Sequence, residues 1–184
     1  MGAGMFGGVH RRGVGLRISV PALTGLVFAA SCSSALGPLA STDEGFFFFG
    51  DTRLSYALDI PVEWSAPFPL VVVGHDSSPE DKNSRKEWAR RLVETGVAVL
   101  RFDKRGVGDS DGEYRRGYAD LELLSGDLVS AVDFVANDPR VDIDRIRLLG
   151  SRQAGWILPM VATRSPHVAF VILLSGPTVT GAQH

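Results

Sequence analysis

One stretch of the sequence, residues 148–156, constrains the fold more than any other. It opens with the apolar pair Leu148 and Leu149, passes through a short turn bracketed by Gly150 and Gly155, and continues into a helical pattern. A short apolar run that ends at a glycine is typical of a strand buried on both faces of a parallel sheet. The stretch therefore predicts a buried strand, a sharp turn and a helix in direct succession.

The rest of the chain alternates strands with helices. Gly50 and Asp51 separate two apolar runs, which predicts an antiparallel hairpin at the amino end of the sheet. Ser84 and Glu87 have the spacing of a capping box, and a second helical pattern ends before Pro139. Asp127 on that second helix is interpreted as solvated. The other predicted strands are residues 70–73, 97–102, 146–149 and 168–174, and a third helix is predicted over residues 153–164.

This order of elements predicts an α/β fold. Strands that alternate with helices after a hairpin form a doubly wound, mostly parallel sheet with helices on both faces and right-handed crossovers. In such a sheet the chemistry gathers at the carboxyl ends of the strands. Three loops meet that condition, and they are residues 75–83, 103–112 and 150–155.

Composition limits the ligands and partners. The chain has 184 residues, of which 45% are hydrophobic and 22% charged, and a net charge of -2 without a basic face, so nucleic acid is not an expected partner. A single cysteine excludes an internal disulfide, and His and Cys are not clustered at metal-ligand spacing. The glycine-rich residues 103–112 fit neither a P-loop nor a dinucleotide fingerprint. We therefore expect no metal and no cofactor, and a small molecule as the ligand.

The amino-terminal residues are predicted to be an export signal followed by a linker. Three arginines precede the apolar residues 18–30, which are too few to span a bilayer but suit a secretory signal. Residues 29–32 resemble a bacterial lipobox, in which Cys32 would receive a lipid and attach the protein to a membrane. Ordinary signal cleavage and an upstream extension from a misplaced start codon are the alternatives. The predicted divisions are a signal over residues 1–32, a linker over 33–45 and a domain over 46–184. We expect a periplasmic protein or a membrane-anchored lipoprotein, exported from a bacterial cytoplasm.

The three loops resemble motifs of the α/β-hydrolase superfamily. Residues 71–83 are similar to H-G-S-G-P-x-D-x-N, residues 101–112 to Y-D-x-R-G-x-G-x-S-x-G, and residues 148–159 to G-x-S-Q-A-G-W-I-x-P. The most similar group is the bacterial serine hydrolases related to prolyl oligopeptidase, with the acyl-CoA thioesterase and Xaa-Pro peptidase branch. The resemblance covers residues 46–184 and implies the α/β-hydrolase fold and an activity on ester, thioester or peptide acyl bonds.

The resemblance also implies roles at the turn that follows residue 149. In the family, a serine at this turn, the nucleophile elbow, attacks an acyl carbon, a histidine takes its proton, and an acid orients the histidine. In a turn bracketed by Gly150 and Gly155, taking Gly150 as the first glycine of G-x-S-x-G places Arg152 at the position of the nucleophile and Ala154 at that of the second glycine. A guanidinium stays charged throughout the accessible pH range and cannot act as a nucleophile. Ser151 is the alternative nucleophile if the turn is rebuilt by one residue, although side-chain alternation along a strand otherwise turns its hydroxyl away.

The family's oxyanion donors are two backbone N–H groups. One follows the nucleophile and matches Gln153, and the other lies in the loop after an early strand and matches Asp76 and Ser77. Asp76 replaces the usual glycine, and a carboxylate near a developing oxyanion repels it.

Three hypotheses about function follow. The family's acid and histidine come after later strands, so the first is a truncated and inactive hydrolase that lacks its C-terminal strands. The second is a non-catalytic protein that binds a carboxylate or phosphate through Arg152 at the amino end of a helix. The third is that no stable protein accumulates, because residues 168–174 would form an exposed sheet edge.

Overall fold

The computed structural model describes residues 39–116 and 120–177. The predicted signal segment with Cys32 lies outside these described residues, as do residues 178–184. Within the described ranges, no helix has both the length and the apolar character needed to cross a membrane.

Strands and helices follow one another along the described chain in the predicted order, although β5 begins five residues earlier than the predicted strand over residues 146–149. The elements are β1 (Ala40–Phe49), β2 (Thr52–Pro61), β3 (Phe68–Val73), α1 (Lys86–Val93), β4 (Ala98–Phe102), α2 (Leu121–Ala136), β5 (Val141–Ser151), α3 (Ala154–Arg164) and β6 (Val168–Leu174).

All the strands join one sheet in the order β1-β2-β4-β3-β5-β6. The β1–β2 and β2–β4 pairs are antiparallel, whereas β4–β3, β3–β5 and β5–β6 are parallel. This confirms the predicted mostly parallel sheet with an antiparallel hairpin. Because β3, β4 and β5 are parallel neighbours, the loops that follow them meet at one edge of the sheet.

The hairpin begins earlier than the sequence predicts. Gly50, with a φ of 56°, and Asp51 connect its strands, as expected. However, β1 starts at Ala40, which pairs with Pro61, so residues 40–45 belong to the strand and not to the linker. Their polar character hides the strand in the sequence, because an edge strand has a solvated side that polar side chains suit.

Helices pack on both faces of the sheet, as predicted for a doubly wound fold. On one face, Ala89 and Val93 of α1 pack with Val71 and Val99. On the other, α2 and α3 pack over a larger set of buried residues that includes Leu70, Leu100, Leu128, Val132, Leu148 and Leu158. The carboxyl edge of the central strands is therefore held between two packed layers.

The predicted capping box is wrong. Helix α1 begins at Lys86 with Arg85 as its N-cap, and no side chain caps it. The Ser84 hydroxyl instead donates to Asp81 at 2.8 Å, within the preceding loop. The local hydrogen bond of a serine with a nearby carboxylate competes with the cap, and here it prevails.

Strand β6 is apolar and incompletely covered. Its partner on one side is β5, and Phe170, Leu173 and Leu174 remain 47%, 41% and 44% exposed. An exposed apolar edge strand favours pairing with another strand.

Candidate functional site

The turn between β5 and α3 places a non-glycine residue in a left-handed conformation. Arg152 has a φ of 53°, its N–H donates to the Leu174 carbonyl at 3.2 Å, and its carbonyl accepts from the Gly155 N–H at 2.8 Å. Few residues other than glycine adopt such a φ, and those that do gather at functional sites. The turn therefore presents the Arg152 side chain to solvent at the carboxyl edge of the sheet, where it is 76% exposed.

Two glycines allow α3 to pack closely against its neighbours, Gly150 against the turn and Gly155 against residues 176 and 177. A Cβ on Gly150 would collide with the Ala154 side chain and lie 3.1 Å from Leu158. A Cβ on Gly155 would collide with Pro177 and lie 2.9 Å from the Gly176 Cα. The sequence needs glycine at both positions, because α3 leaves no room for a side chain at residue 150 and the segment after β6 leaves none at residue 155.

Ser151 lies one residue before the turn, in β5 itself. Its hydroxyl lies 3.5 Å from a terminal nitrogen of Arg85, which precedes α1. The part of the chain that the structure describes contains no imidazole hydrogen-bonded to this hydroxyl, so a base that could activate Ser151 is not in place there.

Asp76 faces Arg152 across the gap between the loops after β3 and β5. Its Oδ2 lies 3.4 Å from Nη1 of Arg152 and 3.6 Å from Nη2 of Arg85. Burial raises the pKa of this carboxyl, but hydrogen bonds from the Ser78 hydroxyl and amide and the charges of Arg85 and Arg152 outweigh burial, so its pKa lies below the usual range. Asp76 is therefore a carboxylate at neutral pH.

The predicted oxyanion donor at Asp76 already has an acceptor. Its backbone N–H donates to Oε2 of Glu80 at 2.7 Å, and Oε1 of the same carboxylate lies 2.5 Å from Arg85. Both carboxylates are buried, at 5% exposure for Asp76 and 6% for Glu80. A substrate oxyanion would have to displace Glu80 to use this N–H. Ser77, the neighbouring predicted donor, accepts at its carbonyl a hydrogen bond of 2.7 Å from the Tyr114 hydroxyl.

Lys104 connects the loops after β3, β4 and β5. Its ammonium donates to the Asp76 carbonyl at 2.6 Å and to Oε1 of Gln153 at 3.2 Å, and it lies 5.5 Å from the centre of the Tyr114 ring. The side chain is buried, at 2% exposure. Burial lowers the pKa of Lys104, while the charges of Glu80 and Asp76 oppose that effect. Lys104 therefore acts as a buried crosslink beneath the site.

His75 has a structural position beside this cluster. Its Nε2 donates to the Phe102 carbonyl at 2.7 Å, and its ring packs edge-on against the Phe102 ring with centroids 4.4 Å apart. Burial lowers the pKa of His75 to about 4. A neutral imidazole held in this way supports the loop after β3.

An open cleft of about 470 Å³ lies over these loops. It is lined by Asp76, Ser77, Ser78, Pro79, Tyr114, Arg116 and Arg152. Two guanidinium groups and one carboxylate make the charge of this lining positive. Among the described residues, no cluster of three or more His, Cys, Asp or Glu could hold a metal ion.

The structure brings the predicted site residues into one region. Arg152, Gln153, Asp76 and Ser77 all lie at or beneath the cleft, through the contacts described above. Sequence patterns missed Glu80, Arg85, Lys104 and Tyr114. The roles of Lys104 and Tyr114 depend on contacts between loops that are distant in the chain, and that of Glu80 depends on the path of the loop after β3. Lys104 does lie at the carboxyl end of β4, which was the signal that could have found it.

Comparisons with known proteins identify the fold. No profile of a known protein family matches the chain. A curated relative, the uncharacterized protein PA2218 of Pseudomonas aeruginosa, is 31% identical over 88 residues, which are 48% of this chain and 23% of the relative. The crystal structure of that protein superposes with a TM-score of 0.63 at 23% identity, covering 75% of this chain and 43% of the other.

Solved α/β hydrolases superpose equally well. GrgF, an α/β hydrolase from Penicillium sp. sh18, gives a TM-score of 0.60 at 25% identity, over 74% of this chain and 46% of the other. P91, a dienelactone hydrolase-like promiscuous phosphotriesterase from metagenomic libraries, gives 0.62 at 20% identity, over 76% and 60%. The chain thus spans between about a quarter and three fifths of the lengths of these proteins.

Proposed function

We propose that the protein binds a small carboxylate at the turn after β5 and forms no covalent acyl intermediate there. Its described residues form an α/β-hydrolase fold. The observation that carries the proposal is the placement of Arg152 at the apex of the turn, with a φ of 53° and a largely exposed side chain. Its structural neighbours include α/β hydrolases, and hydrolysis of an ester or thioester yields a carboxylate. The exposed guanidinium of Arg152 suits the negative charge of such an acid.

The cleft supports binding in three ways. Its lining contains Arg116 as well as Arg152, so two guanidinium groups contribute positive charge to the cleft. The amino end of α3, an 11-residue helix, lies directly after Arg152 and carries the positive end of the helix dipole. The volume of about 470 Å³ lies within the usual range for small-molecule sites.

The same residues argue against covalent catalysis by this turn. A guanidinium is not a nucleophile, and the Ser151 hydroxyl has an arginine and not an imidazole beside it. The N–H of Asp76 is already bonded to Glu80. An acyl-transfer site needs a nucleophile, a base and free oxyanion donors together.

Two measurements test the proposal. A fluorophosphonate probe, which labels active serine hydrolases, should leave the protein unlabelled; labelling that disappears in Ser151→Ala would show that Ser151 is the nucleophile and would refute the non-covalent assignment. Titration calorimetry with benzoate should show binding that is lost in Arg152→Gln. Arg145→Gln is the matched control, because Arg145 is 48% exposed and lies in the amino-terminal half of β5 beside Asp142. No heat from any carboxylate in the wild type would reject the proposal.

Export and lipidation are part of the same proposal for the whole protein. They rest on the sequence of residues 1–32, with the apolar segment before Cys32. Labelling of bacteria with a radioactive fatty acid should mark the protein, and Cys32→Ser should abolish the label. Export without label would instead support an ordinary signal peptide.

A further inference from the structure

Asp76 is the one carboxylate that lines the described cleft, and it contacts the cation that the proposed ligand needs. We infer that the Asp76 carboxylate takes the place of an anionic ligand beside Arg152. A monocarboxylate that binds in the cleft then replaces Asp76 as the partner of the Arg152 guanidinium. The inference rests on the proposed function and adds the class of ligand and the way that it binds.

The contact between the two side chains is loose. Nη1 of Arg152 lies 3.4 Å from Oδ2 of Asp76, whereas a charge-assisted hydrogen bond is usually about 2.7–2.9 Å long. One nitrogen and one oxygen meet, so the paired geometry of an arginine with a carboxylate is not formed. A carboxylate that approached from the cleft could make both bonds and would replace a weaker contact.

Displacement would leave Asp76 well bonded. Its Oδ1 accepts from the Ser78 N–H at 2.6 Å and from the Ser78 hydroxyl, and its Oδ2 remains 3.6 Å from Arg85. The Asp76 side chain is 6% exposed and that of Arg152 is 76% exposed. Arg152 is therefore the partner that can move, and Asp76 is the fixed one.

The ligand class follows from the charges. The occupant that Arg152 now contacts is a single carboxylate, and the incoming anion must lie near that fixed negative charge. A monocarboxylate meets less repulsion there than phosphate, which carries more negative charge at neutral pH. The planar carboxylate also matches the planar guanidinium fork.

The inference predicts opposite effects on benzoate binding when Arg152 and Asp76 are substituted one at a time. Arg152→Gln should abolish benzoate binding, whereas Asp76→Asn should tighten it by at least about fivefold, because it removes the competing charge but keeps an acceptor for Ser78. Glu80→Gln is the matched control. It removes one buried carboxylate from the same cluster, but its ion pair is with Arg85 and not with Arg152, so we expect a smaller gain.

Calorimetry on the full chain with benzoate and with inorganic phosphate distinguishes the outcomes. If the wild type binds benzoate and Arg152→Gln does not, but Asp76→Asn fails to tighten binding or Glu80→Gln tightens it equally, this inference is wrong and the proposed function stands. Tighter binding of phosphate than of benzoate would overturn the ligand class. If the wild type binds neither, the proposed function itself fails.

A measurement on the wild-type protein tests the inference without requiring that any variant fold. The ¹³C signal of the Asp76 carboxyl, assigned by isotope labelling, should shift when benzoate is added, because Arg152 leaves its neighbourhood. A signal that does not move at saturating benzoate would overturn the displacement.

Discussion

The Nζ of Lys104 lies 2.6 Å from the carbonyl oxygen of Asp76, which joins the loop after β4 to the loop after β3. The same ammonium reaches Gln153 at 3.2 Å, directly after the turn that carries Arg152. The cleft is thus positioned by a residue that lies beneath it and does not line it.

Replacing this lysine should destabilise the fold. Lys104→Met leaves two acceptors without their donor at a site where the side chain is 2% exposed, so we expect a loss of about 1–3 kcal/mol in the free energy of unfolding. Urea denaturation measures the loss. Lys86→Met is the control, since Lys86 is exposed on α1 and should cost less than about 0.5 kcal/mol. Equal losses in the two variants would contradict a crosslinking role for Lys104.

The stability should depend on pH through His75. Burial lowers its pKa from 6.5 to about 4, so between these values the unfolded chain binds a proton that the folded chain does not. The contribution of His75 to the free energy of unfolding is complete above pH 6.5. As the pH falls towards 4, the free energy of unfolding decreases by up to roughly 3 kcal/mol. Urea denaturation at pH 7 and pH 4.5 measures this loss.

If His75 causes this pH dependence, two histidine variants should differ in how their free energy of unfolding changes with pH. His75→Gln keeps an N–H near the Phe102 carbonyl but does not titrate, so its free energy of unfolding should change less between the two pH values. His167→Gln, at a histidine between α3 and β6, should retain the dependence of the wild type. The opposite order would exclude His75 as the source.

Substitution of Gly150 should affect both stability and binding. Gly150→Ala would push Ala154 and Leu158 away, so α3 must shift at a cost of about 1–3 kcal/mol, and benzoate should bind more weakly. Gly50→Ala is the comparison, because Gly50 has a φ of 56° and no neighbour within 4 Å of an added Cβ. It should lower stability through backbone strain alone and leave benzoate affinity unchanged. Unchanged affinity in Gly150→Ala would show that the packing of α3 does not position Arg152.

A buried ion pair beside the site should be sensitive to the loss of one partner. Arg105 and Asp127 are 10% and 3% exposed at their side chains, and burial raises the pKa of Asp127 despite its bond to Arg105. Arg105→Met should therefore cost about 3–5 kcal/mol, because it leaves a buried carboxylate without its cation. The double variant Arg105→Met/Asp127→Leu should recover most of that loss. Thermal and urea denaturation of the single and double variants provide the check, and a double variant no better than the single one would refute this explanation.

The fold could be predicted because its signals are local. The apolar run that ends at Leu149, the Gly50–Asp51 turn and the helical spacing of α2 each depend on neighbouring residues, and the structure confirms the strands and helices that they indicate. Polar edge residues such as Thr42 gave no such signal, because their pairing with Asp59 in β2 is visible only once the strands are assembled.

Sequence patterns predicted less of the candidate site than of the fold. Arg152 stood out because it interrupts a recognisable turn, but the interpretation of Asp127 as solvated was wrong. Its partner Arg105 lies 22 positions away in the sequence, in the loop after β4. The helical spacing of α2 does not show which face of the helix this loop covers. The bond between Glu80 and the Asp76 N–H likewise depends on the path of a loop, not on residue type.

The strand order has a consequence for synthesis of the chain. β3 lies between β4 and β5, although it is made before both, and its second edge stays uncovered until residues up to Leu149 have left the ribosome. Pairing of strands distant in sequence is slow, and an unpaired apolar edge favours aggregation meanwhile. We expect the nascent chain to acquire protease resistance late, after β5 emerges, and to depend on chaperones until then.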